Sequence, residues 1–302
     1  MTTPSATHHH TRPLDALATG VVVLLCLSWG LNQVAVKLAL HDIPPLMQAA
    51  ARSFAAALIV AGIAKARGQT LLARDGTLWP GIAAGVLFGA EFILIYQGLV
   101  FTTATRAAVF IYLAPFFVVL GTRILLPADR FHLPQWAGLA LSFAGMLVAF
   151  GVPTPALDPR QIFGDLMMVG AALLWAATTL LVKASALVRA SSEKVLLYQL
   201  IVSGPMMALA SYLAGEPVPQ AVSPLVLGAF AYQTIWVVGV TYVLWFALVA
   251  RYSANRLSAF TFLSPLFGVA AGHWVLGEPL TPAFAAAVAF VAGGLILVNR
   301  AR

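Results

Sequence analysis

Residues 104–115 read Ala-Thr-Arg-Ala-Ala-Val-Phe-Ile-Tyr-Leu-Ala-Pro, and residues 254–265 read Ala-Asn-Arg-Leu-Ser-Ala-Phe-Thr-Phe-Leu-Ser-Pro. Ala, Arg, Phe, Leu and Pro recur in register, and Tyr112 and Phe262 are aromatic equivalents. The 302-residue chain therefore carries a duplicated unit, and each copy has a proline inside an apolar segment. Repeats that place broken helices symmetrically in a membrane are an architecture of secondary transporters. The duplication thus bears on function as well as ancestry.

A second correspondence lies upstream. Leu27-Ser28-Trp29 followed by Lys37 matches Leu173-Leu174-Trp175 followed by Lys183, with the same spacing from Trp to Lys. The offset is 146 there and 150 at the proline segment, so about four residues were inserted between the two points.

The composition, 61% hydrophobic and 9% charged, excludes an ordinary soluble domain, which averages roughly 45–50% and 25%. Apolar runs recur, each long enough to cross a hydrocarbon core of about 30 Å. The single cysteine, Cys26, allows no intrachain disulfide, so stability must come from helix packing. The net charge of +7 would suggest nucleic acid in a soluble protein. Here the basic residues punctuate the ends of apolar runs, which points to membrane orientation instead. His8, His9 and His10 sit in a polar arm expected to be flexible. No cleavable signal is expected, because Arg12 stands alone and the run from Leu14 to Leu40 is too long.

Apolar runs bounded by Pro, Gly and charge predict ten helices, near 17–38, 46–64, 78–99, 104–124, 135–151, 163–186, 194–214, 222–250, 256–276 and 281–299. The fold class is all-α membrane protein: a flexible arm 1–13, a five-helix repeat 14–152 and a second repeat 153–302. Short connections such as Asp42-Ile43-Pro44-Pro45 and Gly277-Glu278-Pro279-Leu280 make consecutive helices antiparallel neighbours. With the N-terminus cytoplasmic, the cytoplasmic segments hold Arg12, Lys65, Arg67, Arg74, Arg123, Arg130, Lys183, Arg189, Lys194, Arg251, Arg256, Arg300 and Arg302. The opposite side holds Lys37, Arg106 and Arg160, while Arg52 falls within a span. Thirteen against three is a strong positive-inside bias and places both termini inside. Five spans per repeat then invert the second copy relative to the first.

Polar groups in a bilayer core are expensive and therefore informative. Arg52 lies roughly 9 Å, and Glu91 roughly 12 Å, below the outer ends of their helices at 1.5 Å per residue. An ion pair, direct or bridged by water, is expected. It either holds helices two and three together or lines a cavity, with Glu91 the carboxylate able to take a proton. Asp165 sits near a helix start. Trp29, Asn32, Gln33 and Lys37 share one face of helix one, which suits a wet interior better than lipid. Trp175, Thr178 and Thr179 are the counterpart in helix six, where threonine is able to back-bond to its own helix. Lys37 and Lys183 are read as snorkelling to the interface.

Aromatics gather in helices three, four and eight: Phe92, Tyr96, Phe110, Tyr112, Tyr232, Trp236, Tyr242, Trp245 and Phe246. Such rings wall cavities for planar or cationic solutes, and they also form interfacial belts. Tyr96, Tyr242 and Trp245 lie near helix ends and are assigned to the belt. Tyr112 and Trp236 lie deeper and are assigned to the cavity. Gly81, Gly85 and Gly89, and likewise Gly268 and Gly272, are spaced for close helix packing. Pro115 and Pro265 should kink helices four and nine at equivalent points, as hinges or as static shaping, and Pro205 is expected to break helix seven.

This set of features resembles the drug/metabolite transporter superfamily: Ser28-Trp29-Gly30 followed by Lys37, Arg106 with Leu113-Ala114-Pro115, Arg256 with Leu263-Ser264-Pro265, and Gly277-Glu278-Pro279-Leu280. Within it the chain is most similar to EamA-type ten-helix exporters, in the bacterial amino-acid branch that includes aromatic amino-acid and methyl viologen exporters. The resemblance implies a multi-pass carrier of the bacterial inner membrane. Its central cavity would be shared by both halves and would move amino acids or related small metabolites outward. The small multidrug members of the superfamily depend on a glutamate in helix one, and this chain has Asn32 and Gln33 there instead.

The sequence is therefore read as an alternating-access exporter of amino acids or related metabolites. Exporters of cationic drugs or of another metabolite class such as sugars are the alternatives. Trp29, Asn32, Gln33, Arg52, Glu91, Tyr112, Trp175, Thr178, Thr179 and Trp236 are the candidate substrate-binding residues, and Pro115 and Pro265 the candidate hinges. The expected partners are a small-molecule substrate and the lipid bilayer, with no nucleic acid, no cofactor and a monomeric state. No metal is expected, since His41, His132 and His273 lie at separate connections or helix ends. Nor is an enzyme, since no nucleophile has a partner placed for it at membrane depth.

Overall fold

The computed structural model describes residues 14–71, 73–126, 131–152, 158–277 and 280–300. The arm with His8–His10 and Arg12, together with Arg130, Glu278, Pro279 and Arg302, lies outside the described residues. Within them the chain is helical throughout and forms no β-strand. Helices α1 (Ala16–Ala39), α2 (Pro45–Ala66) and α3 (Leu78–Phe101) are followed by a broken pair, α4 (Ala104–Ile111) and α5 (Ala114–Leu125), and by α6 (Leu133–Phe150). The second half runs α7 (Pro159–Ala184), α8 (Ser192–Leu213), α9 (Pro224–Ala231), a π-helical stretch (Tyr232–Tyr242), α10 (Val243–Arg251), α11 (Ala254–Phe260), α12 (Leu263–Leu276) and α13 (Pro282–Arg300).

Helix starts carry side-chain caps that also repeat between the halves. The Thr103 side chain accepts from the Arg106 amide and the Ser253 side chain from the Arg256 amide, at equivalent positions. Each satisfies an amide that has no partner within its own helix.

Nine stretches of the described residues are long and apolar enough to span a membrane, including Arg106–Leu125 and Pro224–Arg251 as single units. The expected helix 256–276 is instead built from the seven residues of α11 and the fourteen of α12. Neither alone reaches the roughly 20 residues a crossing needs.

The kinks expected at Pro115 and Pro265 take the form of short interruptions of the helix, at residues 112–113 and 261–262. Proline has no N–H to give the carbonyl four residues back, and the chain answers with a tight turn just before each proline. Leu113 N donates to Phe110 O at 3.1 Å in one copy, and Ser264 N to Thr261 O at 3.0 Å in the other. In the second copy this turn releases the Phe260 carbonyl, which accepts from the Cys26 thiol of α1 at 3.3 Å. The lone cysteine, fully buried, is thus a backbone partner. Pro205, expected to break its helix, lies inside an unbroken α8.

Pro224–Arg251 has 28 residues where the equivalent α3 has 24. The π stretch absorbs part of the excess, because an i→i+5 turn takes in more residues than an α turn. The inserted residues implied by the two offsets therefore enlarge a helix rather than a loop.

Helix α6 packs along α13, α3 along α7 and α8, α2 along α8 and the π stretch, and α1 along α12 and α9. Glycines make several of these approaches close. A methyl on Gly138 would lie 2.6 Å from the Gly294 carbonyl, and one on Gly85 would lie 2.5 Å from Val202 of α8.

The α2–α8 pair is fastened at both ends by the connection from the opposite half. At one end Arg67 Nη1 meets Glu193 Oε1 at 2.5 Å, and Lys194 Nζ meets Asp75 Oδ2 at 2.8 Å. At the other, the Glu216 carboxylate accepts from the Leu46 and Met47 amides at 2.9 and 2.8 Å and from Ser211 Oγ at 2.7 Å. An acidic group is favourable at a helix start, where amides point outward.

Two outcomes follow from this packing. Gly294→Val should destabilise by about 1–3 kcal/mol through overpacking, whereas Gly20→Ala, which meets nothing within 4 Å, should be neutral in a thermal unfolding assay. Lys194 and Thr77 hold the Asp75 carboxyl well below its ordinary value of 3.8. A depressed carboxyl contributes stability above its unfolded value and loses it as the pH falls through the folded one. The stability difference between wild type and Asp75→Asn should therefore be full at neutral pH and shrink below about pH 4; a constant difference would detach Asp75 from the clamp.

Candidate functional site

A cavity of about 90 Å³ lies between the two halves. Helix α1 contributes Trp29, α3 contributes Phe88, Glu91 and Phe92, and α7 contributes Trp175, Thr178 and Thr179. Gln199 of α8, Tyr242 at the end of the π stretch, and Trp245 and Phe246 of α10 complete the wall.

The rings form one connected set. Trp245 meets Trp29 edge-on, with centroids 5.3 Å apart, and lies 5.8 Å from Trp175 at a tilt of 34°. Tyr242 stands edge-on to both Trp29 and Phe88, at 6.1 Å each. Such pairs hold one another in place beyond simple burial. Trp29 is pinned further, because its Nε1 donates to Thr241 Oγ1 at 2.9 Å and Thr241 donates to the Val237 carbonyl at 2.5 Å. The two tryptophans of the repeat therefore face one cavity, with Trp245 packed between them.

Thr178 and Thr179 turn their hydroxyls to the Leu174 and Trp175 carbonyls, at 3.0 and 3.1 Å. Their donors are used within the helix, and they present methyl groups and lone pairs to the cavity. Glu91 is the one carboxylate of the wall. It is 5% exposed, and its Oε2 has no hydrogen-bond partner among the described residues. Gln199 is fully buried, with Oε1 likewise unpartnered. Groups of this kind seldom stay unpaired in a folded protein, so the carboxylate and the amide are available to whatever enters.

Five of the candidate residues thus line the cavity: Trp29, Glu91, Trp175, Thr178 and Thr179. The other five lie elsewhere. Asn32 keeps a buried, unpartnered Oδ1 on α1, and Gln33 is exposed near Gly268 of α12. The Tyr112 ring packs against Phe262, with centroids 6.0 Å apart. Trp236 is 37% exposed, and its Nε1 donates to Ser28 Oγ at 3.0 Å.

Arg52 and Glu91 make no direct ion pair among the described residues, which leaves a pair bridged by water as the remaining form of the expected contact. Arg52 is 2% exposed and stacks its guanidinium over the Phe92 ring, 4.9 Å from the centroid. A ring face satisfies a cation without a carboxylate, and Phe92 thereby separates Arg52 from the cavity it lines. Pro115 and Pro265 stand at the two helix breaks rather than in the wall.

Tyr242 and Trp245, assigned above to an interfacial belt, are cavity residues, because the π turns bring more residues into the same length of helix. Lys183 does not reach for the interface. Its ammonium donates to the Val249 carbonyl at 2.8 Å and to the Tyr252 carbonyl, closing the C-terminus of α10. Arg106 and Asp165 pair at 2.5 Å, with Thr102 Oγ1 donating to the same carboxylate at 2.6 Å. Phe88 and Gln199 carried no individual signal. The repeat does point to Gln199: it stands seven residues into α8, as Arg52 stands seven residues into α2.

Similarity to known proteins agrees with this architecture. The family model of the EamA-like transporter family matches twice, over residues 17–151 and 162–300. The uncharacterized transporter YoaV of Bacillus subtilis is 24% identical, over 86% of this chain and 89% of its own. A protein of Salmonella typhimurium named "Probable amino-acid metabolite efflux pump" is also 24% identical, over 92% and 93%. A solved crystal structure shares the fold with a TM-score of 0.81 at 21% identity, over 94% of this chain and 96% of that one. The chain is a multi-pass membrane protein of the EamA-like transporter family, a transporter and not an enzyme.

Proposed function

We propose that this transporter exports amino acids or related small metabolites across the bacterial inner membrane by alternating access. In this reading ten spans form two inverted halves, residues 14–152 and 153–302, with both termini cytoplasmic. The observation that carries it is the cavity: both halves build it, and Trp29 and Trp175 occupy equivalent places in its wall.

The helix pairings support a two-fold relation between the halves, because most persist when the halves are exchanged. Helix α3 on α7 corresponds to α9 and the π stretch on α1, α12 on α1 corresponds to α4 and α5 on α7, and α6 on α13 and α2 on α8 map onto themselves. The two family-model matches divide the chain at the same place. Amino acids are favoured as cargo by the efflux pump among the relatives, and by a wall that joins large rings to one carboxylate and one amide. That wall suits an apolar or aromatic side chain with an ammonium group directed to Glu91.

Organic cations are the second reading, favoured by a single unpaired carboxylate among rings that attract positive charge. Arg52 enters the reading from behind Phe92, as a fixed positive charge that biases Glu91 and not as a direct ligand.

Proteoliposomes loaded with labelled amino acids should show counterflow that protein-free vesicles lack. Transport of a quaternary cation with no amino-acid counterflow would select the second reading, and neither activity would refute both. Glu91→Gln should cut transport at least tenfold, about 1.4 kcal/mol, or abolish its pH dependence; wild-type transport at every pH would remove Glu91 from the mechanism. Trp29→Leu should cost about three- to tenfold through lost ring contacts. Thr179→Val should stay within about twofold, since its hydroxyl is committed to its own helix. A larger loss in Thr179→Val than in Trp29→Leu would reverse the assignment of the wall.

A further inference from the structure

Several buried polar groups behind the cavity have no partner among the described residues. They are both amide atoms of Gln48, Arg52 Nε, Ser203 Oγ and Gln199 Oε1. Gln48, Gln199 and Ser203 are fully buried and Arg52 is 2% exposed. The groups are not scattered. Gln48 and Arg52 are one turn apart on α2, Gln199 and Ser203 are one turn apart on α8, and these two helices pack on each other. Helix α3 touches the same place, since a methyl on Gly89 would meet Ser203 Cα at 3.2 Å.

The line has two defined ends. One is the cavity, where Gln199 and Glu91 stand in the wall. The other is Glu216, held by the Leu46 and Met47 amides immediately before Gln48, and by Ser211, two turns beyond Ser203 on the same face of α8. Between Ser203 and Ser211 lies Met207, packed with Leu46, Ala49, Ala50 and Tyr96. Tyr96 packs in this apolar stretch, and its hydroxyl is within electrostatic reach of both Arg52 and Glu216. Tyr242 in turn lies within reach of Arg52, Glu91 and Tyr96. Tyr242 is the titratable ring that shares the cavity wall with Glu91.

Spacing decides what fits. Positions four apart on a helix are about 6 Å apart along its axis. One water making two hydrogen bonds spans roughly 5.5 Å. Buried polar groups of this kind are commonly completed by internal water where two or more partners converge.

We propose that Gln48, Arg52, Gln199 and Ser203, continued by Tyr96, form a hydrated seam that carries water and protons between Glu91 and the Glu216 end of the bundle. The inference rests on the reading of Glu91 given above, and in the proposed orientation the Glu216 end is the outer one. The seam lets a proton reach the carboxylate without crossing the ring-lined cavity. No bond is made or broken beyond the proton's transfer from water to carboxylate and back.

The test needs no transported solute, so its failure is distinct from failure of the transport reading. Hydroxyl radicals generated in place by X-rays oxidise side chains that touch internal water, and the products are counted by mass spectrometry. In the wild-type protein in lipid, Met207 should oxidise at least tenfold faster than Met168, which is buried at 1% and whose polar neighbour Asp165 is paired with Arg106 and Thr102. Equal rates would overturn the seam. Replacing Gln48→Leu together with Ser203→Val should bring Met207 down to the Met168 rate. The fold should survive, because exchanging unpartnered polar groups for apolar ones of similar shape is nearly neutral. A Met207 rate unchanged in that variant would place the water elsewhere and overturn the assignment. For protons, infrared spectra in acid buffer, with the Glu91→Gln spectrum subtracted, isolate the Glu91 carboxyl. Its exchange into D₂O should slow at least tenfold in Tyr96→Phe, and an unchanged rate would overturn the seam as a proton route.

Discussion

A backbone carbonyl without a partner costs far more in hydrocarbon than in water, and every irregularity of this helical chain has to answer to that cost. Pro115 and Pro265 create the problem at equivalent points, because neither has an N–H for the carbonyl one turn back. The chain solves it by turning tightly before each proline and starting a new helix. Where a carbonyl is still left over, protein supplies the donor: the Cys26 thiol reaches Phe260, and the Lys183 ammonium closes the end of α10. Both donors come from the first helix of a half, α1 or α7, and both serve helices of the second half. Irregular backbone and inter-helix packing are in this way a single feature.

The same constraint sorts the polar side chains. Most buried hydroxyls are turned back to their own helix, as Thr178, Thr179 and Thr241 are. Asp165 is matched by Arg106 and Thr102, and Glu193 by Arg67 and Gln69. Against that background the unmatched groups stand out. Glu91 and Gln199 lie at the cavity, with Arg52, Gln48 and Ser203 behind it. These five are gathered between α2, α3 and α8, while Asn32, Gln69, Ser142, Gln233, Thr234 and Ser264 have open atoms elsewhere.

Much of this was legible beforehand, and the reason differs from element to element. Helix limits could be read because apolar length is a demand of the bilayer itself, and the expected 46–64 and 78–99 fall close to Pro45–Ala66 and Leu78–Phe101. Trp29, Trp175 and Glu91 could be read because a polar or amphipathic residue deep in a span needs a reason. Helix-end rings were misplaced because depth was counted at α-helical rise, and nothing local in Tyr232–Tyr242 announces a π turn. Excess length against α3 was the available clue. A direct contact between Arg52 and Glu91 is not formed, because similar depth in neighbouring antiparallel helices does not fix facing direction, and the guanidinium lies over the Phe92 ring instead. Gln199 was hidden in an apolar helix and emerges only when the two halves are aligned position by position.

The halves are alike without being equal, and this has an energetic consequence. If two access states differed only by exchanging the roles of identical halves, their free energies would match by symmetry. Here one half has an eleven-residue π stretch and the other an ordinary α3. The clamp at one end of the α2–α8 pair consists of ion pairs, and that at the other consists of a carboxylate on backbone amides. Each ion pair sets a partner with 4% or 5% side-chain exposure against a more exposed one, and a charge on helix-terminal amides is less easily replaced by water when it is partly buried, so the two clamps are held by different chemistry. Under the alternating-access reading proposed above, the empty transporter would therefore prefer one state. A solute would shift that preference only by the difference in its affinity for the two, which for an amino acid would rest on the contact of its ammonium with Glu91.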